Sequence, residues 1–195
     1  MKRFVTFEGI DGSGKSTISK LVFEKLKELG FDVVLTFEPT DSWIGKCVQK
    51  CIESNNDPFV TAFTFIADRI EHGKQIKSWL NDGKLVICDR YAESTYAYQG
   101  AQLEEEIDDP IRWLKDLSNG RIPIPDLTFI FNIDPKDSLD RIKNRSNLIP
   151  FEQLAFLQKV HDNYLKLVSD KRFKIIDATK SKETLVDICL QEVLD

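Results

Sequence analysis

The stretch Phe4-Val5-Thr6-Phe7-Glu8-Gly9-Ile10-Asp11-Gly12-Ser13-Gly14-Lys15-Ser16-Thr17 decides how this chain folds. Residues 4–7 are all aromatic or β-branched and predict a buried strand. Residues 9–17 satisfy G-x-x-x-x-G-K-[ST]. Ile18, Leu21, Val22, Leu26 and Leu29 then recur at helical spacing, which predicts an amphipathic helix opening near Lys15. Gly30 stands where a helix C-terminal glycine belongs. Strand, glycine loop and helix in that order form the context in which the motif cradles phosphate.

The reason is physical. Without a Cβ, successive backbone N–H groups can curl around phosphate oxygens, and the helix N-terminus adds unpaired donors and roughly half a positive charge. The ATP-binding set read from the motif is Gly9, Asp11, Gly12, Ser13, Gly14, Lys15, Ser16 and Thr17. Lys15 is assigned to the β- and γ-phosphates and the Ser16 hydroxyl to Mg²⁺. Asp11 is an odd residue for an anion cradle. It reads either as Asp-Gly turn chemistry or as an acceptor aimed at a sugar hydroxyl or the metal shell.

Outward from this unit the pattern repeats. Val33-Val34-Leu35-Thr36-Phe37, Leu85-Val86-Ile87-Cys88, Leu127-Thr128-Phe129-Ile130-Phe131-Asn132-Ile133 and Phe173-Lys174-Ile175-Ile176 predict four more strands. Helical patterns cover about 42–53, 59–81, 104–119, 135–144, 151–169 and 182–194. Residues 94–100, on composition alone, are a polar aromatic loop. Short, nearly continuous apolar strands alternating with helices predict an α/β protein, a parallel sheet with helices on both faces. With no repeat, linker or composition break, residues 1–195 are read as one domain.

Composition bounds the partners. The 27 Lys and Arg against 32 Asp and Glu give a net charge of −5, which argues against a general nucleic-acid binder but leaves room for a local cationic cleft. Four cysteines are too few for a disulfide framework, and a zinc site at Cys47 and Cys51 lacks further ligands nearby. The cysteines are therefore expected to be reduced and packed as small apolar groups. No secretory leader and no membrane-length apolar run is visible, so a cytoplasmic protein is expected, with no membrane partner.

Asp89-Arg90-Tyr91 follows the third strand at once. A carboxylate at the C-terminal end of a parallel strand lies where α/β folds bind ligands. Asp89 therefore reads as the acid supporting Mg²⁺, and Arg90 as a bidentate fork for phosphate; the plainer alternative is an ion pair at a strand end. Together with the glycine loop this describes a P-loop nucleotide binder. It does not separate a kinase from a hydrolytic switch.

Four segments in order resemble the thymidylate kinase family: the residue 7–17 loop, Phe65-Ile66-Ala67-Asp68-Arg69, Asp89-Arg90-Tyr91, and Ser94-Thr95-Tyr96-Ala97-Tyr98-Gln99-Gly100. Glu38-Pro39, Pro125-Asp126-Leu127 and Ile176-Asp177-Ala178-Thr179 add support. The resemblance implies a three-layer P-loop kinase fold with strand order 2-3-1-4-5, a short lid near 142–150 and a homodimer. It implies transfer of the ATP γ-phosphoryl group to thymidine 5′-monophosphate, dTMP, with Mg²⁺. Under it the substrate set is Asp11, Glu38, Pro39, Phe65, Arg69, Arg90, Ser94, Thr95, Tyr98 and Gln99. Phe65 would stack on thymine, Arg69 would reach the base carbonyl and nearby phosphate, and Arg90 would hold the acceptor phosphate. Ser94 and Thr95 would line the base edge, Gln99 would support the pocket, and Tyr98 would lie against the sugar 2′ carbon. The residues alone allow plainer readings, with Phe65 as core beside Phe63 and Ile66, and Arg69 paired to Asp68 or Glu71.

The family places its catalytic arginine in the P-loop or the lid. Ser13 occupies the P-loop position here, so Arg145 is the expected lid cation, with Arg141 facing ATP. The catalytic set is then Lys15, Arg90, Arg145 and Asp11. The chain departs from the family at Pro150 and Phe37, where many members carry arginine. Two other readings stand beside the monophosphate kinase. In a deoxynucleoside kinase Glu38 would be general base on a sugar hydroxyl. In a nucleotide-dependent switch residues 65–69 and 94–100 would have no task.

Overall fold

The computed structural model describes residues 3–142 and 151–195. Five strands run through it: β1 (Phe4–Glu8), β2 (Val33–Phe37), β3 (Leu85–Asp89), β4 (Leu127–Asn132) and β5 (Phe173–Asp177). Between and after them come α1 (Lys15–Glu28), α2 (Trp43–Glu53), α3 (Pro58–Asn81), α4 (Ala92–Gln102), α5 (Pro110–Ser118), α6 (Pro135–Ile142), α7 (Phe151–Leu167) and α8 (Lys182–Leu194). All strand pairings are parallel, in the order β2-β3-β1-β4-β5. Central β1 sets Val5 opposite Ile87 on one side and Leu127 on the other. Every residue of β1 is buried, which is why its sequence does not alternate: helices cover both faces. Phe7 stacks with Phe131 and tilts against Phe129 beneath the loop that follows it. The winding reverses around β1, so the carboxyl ends of β1 and β3 open on the crevice where such folds bind ligands.

Two expectations need correction. Residues 92–102 form a helix, not a loop. Nine of the eleven residues are buried, so α4 has no polar face and no apolar stripe for periodicity to detect. Conversely, the helix expected over 104–119 begins only at Pro110. Proline lacks the N–H a helix interior needs and suits the first turn, where Asp109 accepts from the Arg112 N–H. All four cysteines are free, with Cys51, Cys88 and Cys189 buried as expected; Cys47 is exposed on the outer side of α2. Among the described residues no helix is long and apolar enough to cross a membrane.

Candidate active site

The loop after β1 is built on three glycines with positive φ, Gly9, Gly12 and Gly14. The tightest is Gly12, where a Cβ would come 2.5 Å from the Ser138 carbonyl. Gly14 is the N-cap of α1 and offers no side chain to its first N–H groups. A helix N-terminus left uncapped by a side chain is the arrangement that holds anions. Ser16 and Thr17 are exposed at the first turn, whereas Ser13 is buried with a hydroxyl that has no partner. The Lys15 side chain is buried, and its ammonium lies 3.9 Å from Asp11. Burial first, and Arg90 second, lower the Lys15 pKa to about 8 against the pull of Asp11, Asp89 and Glu8.

Asp89 and Arg90 emerge from β3 beside this loop. One oxygen of Asp89, Oδ1, is buried without a hydrogen-bond partner. Arg90 has φ 67, a left-handed conformation that is strained for a side chain of this size. Its N–H donates to the Phe7 carbonyl at 3.0 Å and the Cys88 thiol donates to its carbonyl at 3.0 Å. Its Nη1 donates to Gly9 O at 3.2 Å, Ser94 Oγ at 3.0 Å and the Tyr164 hydroxyl at 3.4 Å. Its Nη2 pairs with Asp11. Although burial raises the Asp11 pKa, the charges of Arg90 and Lys15 outweigh it and hold that carboxyl below its usual value.

A cavity of about 360 Å³ opens next to Asp11 and Arg90. Of the ten substrate residues expected from sequence, Asp11, Glu38, Pro39, Phe65, Arg69, Arg90, Ser94, Tyr98 and Gln99 line it. Thr95 does not: it is fully buried behind Arg69, whose Nη2 donates to its hydroxyl at 2.8 Å. Phe65 and Arg69 stand one turn apart on α3. Arg69 is neither free nor paired with Asp68 or Glu71. Its Nε donates to Glu38 at 2.8 Å, and its Nη2 also donates to Tyr91 O at 3.1 Å. The second Glu38 oxygen lies 2.9 Å from His72 Nδ1, and His72 Nε2 lies 2.8 Å from Thr36 Oγ1. Burial opposes the Arg69 charge, but Glu38 outweighs it and raises the Arg69 pKa. Asp68 instead fixes the loop after β2, accepting from Thr40 and Ser42. Tyr98 lies over Arg90, 5.3 Å from ring centre to guanidinium, and its hydroxyl accepts from the Asp11 N–H at 3.2 Å. Arg141 is exposed in the last turn of α6 and donates to Ala178 O at 3.1 Å. Arg145 and Pro150 lie outside the described residues, as does most of the expected 142–150 lid.

Sequence reasoning missed three groups. Glu8, at the end of β1, is fully buried and accepts from Tyr91 N at 2.6 Å, Ser94 Oγ at 2.6 Å and the Tyr164 hydroxyl at 3.2 Å. Burial, then the neighbouring Glu93 charge, raise its pKa to about 7. Tyr164 and His72 sit on helix faces that look like ordinary core stripe. Only a charged residue closing an otherwise apolar strand signalled Glu8.

Sheet order, glycine loop and strand-end acid define the class: a P-loop protein with a kinase-type α/β fold. Within that class the chain belongs to the thymidylate kinase family, whose family model, described as thymidylate kinase, matches residues 7–188. A probable thymidylate kinase from Methanosarcina acetivorans is 42% identical over 197 residues, covering 99% of this chain and 96% of the relative. One from Methanosarcina barkeri is also 42% identical with the same coverage. One from Natronomonas pharaonis is 36% identical, covering 97% of this chain and 96% of the relative.

Proposed function

We propose that the chain transfers the γ-phosphoryl group of ATP to dTMP, giving dTDP and ADP, and that residues 1–195 act as one kinase domain. The observation that carries this is two unpaired polar atoms on residues that line the cavity. Arg69 Nη1 and Gln99 Oε1 are buried and have no partner, one a donor and the other an acceptor. Buried unpaired polar atoms are costly, and a ligand edge bearing C=O beside N–H satisfies both. The imide edge of thymine or uracil has that order; the cytosine edge reverses it and would set donor against donor. Phe65 supplies an aromatic face for the base, and Tyr98 takes the sugar side.

The other end of the cavity meets the glycine loop through Asp11 and Arg90. Arg90 binds the acceptor phosphate there, while the loop amides and Lys15 hold the donor phosphates, with Arg141 at the nucleoside end of ATP. Both phosphates then meet in a cleft whose charges are already in place, which is how phosphoryl transfer is catalysed. Ser16 and Asp89 would hold Mg²⁺, one through an exposed residue's hydroxyl and the other through a carboxylate oxygen that has no hydrogen-bond partner. Bound there, Mg²⁺ would supply positive charge against the negative charge that develops on the transferring phosphoryl group. Arg145 completes the catalytic set with Lys15, Arg90 and Asp11. Glu38 is held by Arg69 and His72, an arrangement that orients the arginine and does not favour a free general base. Exposed Val60 and Phe63 on α3, with Trp43 on α2, offer an apolar face for a homodimer. The free thiols suit a cytoplasmic location.

The test is a panel of nucleoside monophosphates with Mg·ATP, following ADP. We expect dTMP to be the best acceptor, with dUMP slower by about 10- to 200-fold at most, since one methyl group separates them. ADP release that no monophosphate stimulates would overturn the reading.

A further inference from the structure

Arg90 cannot be understood from its own contacts. Its backbone is left-handed, a conformation that persists for such a residue only where the surrounding structure fixes it. The frame converges on one group. The N–H of Tyr91, immediately after Arg90, donates to Glu8 Oε1 at 2.6 Å. The Ser94 hydroxyl donates to Oε2 at 2.6 Å and the Tyr164 hydroxyl to the same oxygen at 3.2 Å. Those two hydroxyls are the side-chain groups that receive Arg90 Nη1. Glu8 never reaches the cavity itself, being fully buried.

We infer that Glu8 is the positioning residue of the acceptor-phosphate arginine, acting through Ser94 and Tyr164 on its side chain and through Tyr91 on its backbone. The argument is one of hydrogen-bond direction. Once ionised, above about pH 7, the carboxylate accepts only: the Ser94 hydroxyl donates to it, and the Tyr164 hydroxyl donates to it or to Ser94 Oγ 2.9 Å away, so neither proton turns toward Arg90. Their lone pairs are then left facing the guanidinium, which donates only. Any group that presents N–H at Oε2 reverses this order and turns hydroxyl protons against Arg90. Three elements are tied together in this way: the end of β1, the first turn of α4 and the last turn of α7. The inference rests on the proposed role of Arg90 at the acceptor phosphate.

Glu8→Gln is the direct test, because the amide keeps shape and one acceptor but places NH₂ opposite one side of the network. Affinities for dTMP and for thymidine, which lacks the phosphate, are measured by calorimetry, alongside the KM for ATP. The expected result is that preference for dTMP over thymidine falls about tenfold or more, the scale of one hydrogen bond to a charged group. Thymidine affinity and ATP KM should stay within about twofold, because a phosphate-specific loss spares the base and the donor site. If Glu8→Gln does not fold, Tyr164→Phe cuts one relay and should lower the same ratio. A preference that both variants leave intact overturns the inference, as does loss of thymidine and dTMP binding in equal measure. A wild-type protein with no preference for dTMP over thymidine overturns the phosphate role of Arg90 and this inference with it.

Discussion

Glu38→Gln separates two chemistries that the sequence alone leaves open. Both partners of the Glu38–Arg69 pair are almost wholly buried, with side chains 2% and 1% exposed. The carboxylate accepts from Arg69 Nε at 2.8 Å and faces His72 Nδ1 at 2.9 Å. Glutamine keeps one acceptor and loses the charge. Removing one partner of a buried pair costs about 3–5 kcal/mol, and a retained hydrogen bond returns about 1 kcal/mol, leaving a loss of about 2–4 kcal/mol. For a chain of this size that lowers Tm by roughly 5–15 °C. The guanidinium then loses its fixed angle, so KM for dTMP should rise about tenfold while KM for ATP holds. A general base would add a different loss: kcat would fall by about 10²- to 10⁴-fold with thymidine as acceptor. Thermal melting and steady-state ADP release on one protein preparation read all of these. Unchanged Tm together with unchanged dTMP KM would refute the reasoning.

Three further outcomes follow from the same geometry. Lys15→Ala should cut transfer on the order of a hundred- to a thousandfold, the scale of losing one preorganised cation, while circular dichroism shows the fold retained; near-wild-type turnover would remove Lys15 from the donor site. Tyr98→Ala should relax discrimination against ribonucleotide acceptors, because it deletes the ring on the sugar side of the cavity; an unaltered ratio of dTMP to its ribose counterpart would dismiss that role. Glu8 sets a pH dependence of stability, with its carboxyl near 7 in the fold against an ordinary 4.5. Between those values the folded chain keeps a proton that the unfolded chain releases, so stability declines as pH rises from about 4.5 to 7, by about 3 kcal/mol. Urea midpoints at about pH 5 and pH 8 should therefore lie closer together in Glu8→Gln than in wild type, and an equal spread would contradict the assignment.

What the sequence revealed, and what it hid, has a physical pattern. The strands were legible because burial on both faces leaves nearly pure β-branched and aromatic runs, as in Phe4 to Phe7 and Leu85 to Cys88. The glycine loop was legible because a φ of 81 at Gly12 under the Ser138 carbonyl admits no other residue. Helix α4 was illegible for the opposite reason: wrapped by α3, α5 and α7, it has no solvent face to create a period. The site was read through residues that line the cavity, such as Phe65 and Arg90. Glu8, His72 and Tyr164, which brace the two cavity arginines directly or through neighbouring groups, do not line it, and His72 and Tyr164 lie on helix faces that packing alone would fill.

The two arginines that line the cavity are both held in place by the protein's own carboxylates. Each guanidinium is divided between a side bound to protein and a side left to exchange. In Arg69, Nε and Nη2 are fixed on Glu38, Thr95 and Tyr91, and Nη1 is unpaired. In Arg90, Nη1 donates to Gly9, Ser94 and Tyr164, while Nη2 pairs with Asp11. The Asp11 side chain is 58% exposed, so its pairing is weakened by solvent and can give way to a phosphate oxygen. Glu38, sealed from water, cannot give way in the same manner. Exposure thus decides which carboxylate is a placeholder and which is a support. Orientation of both cations is settled when the chain folds, so less ordering remains for the moment of binding. That division also predicts where mutations act: changing a support alters affinity for a ligand it never touches, while changing Asp11 alters the balance between the empty and occupied site.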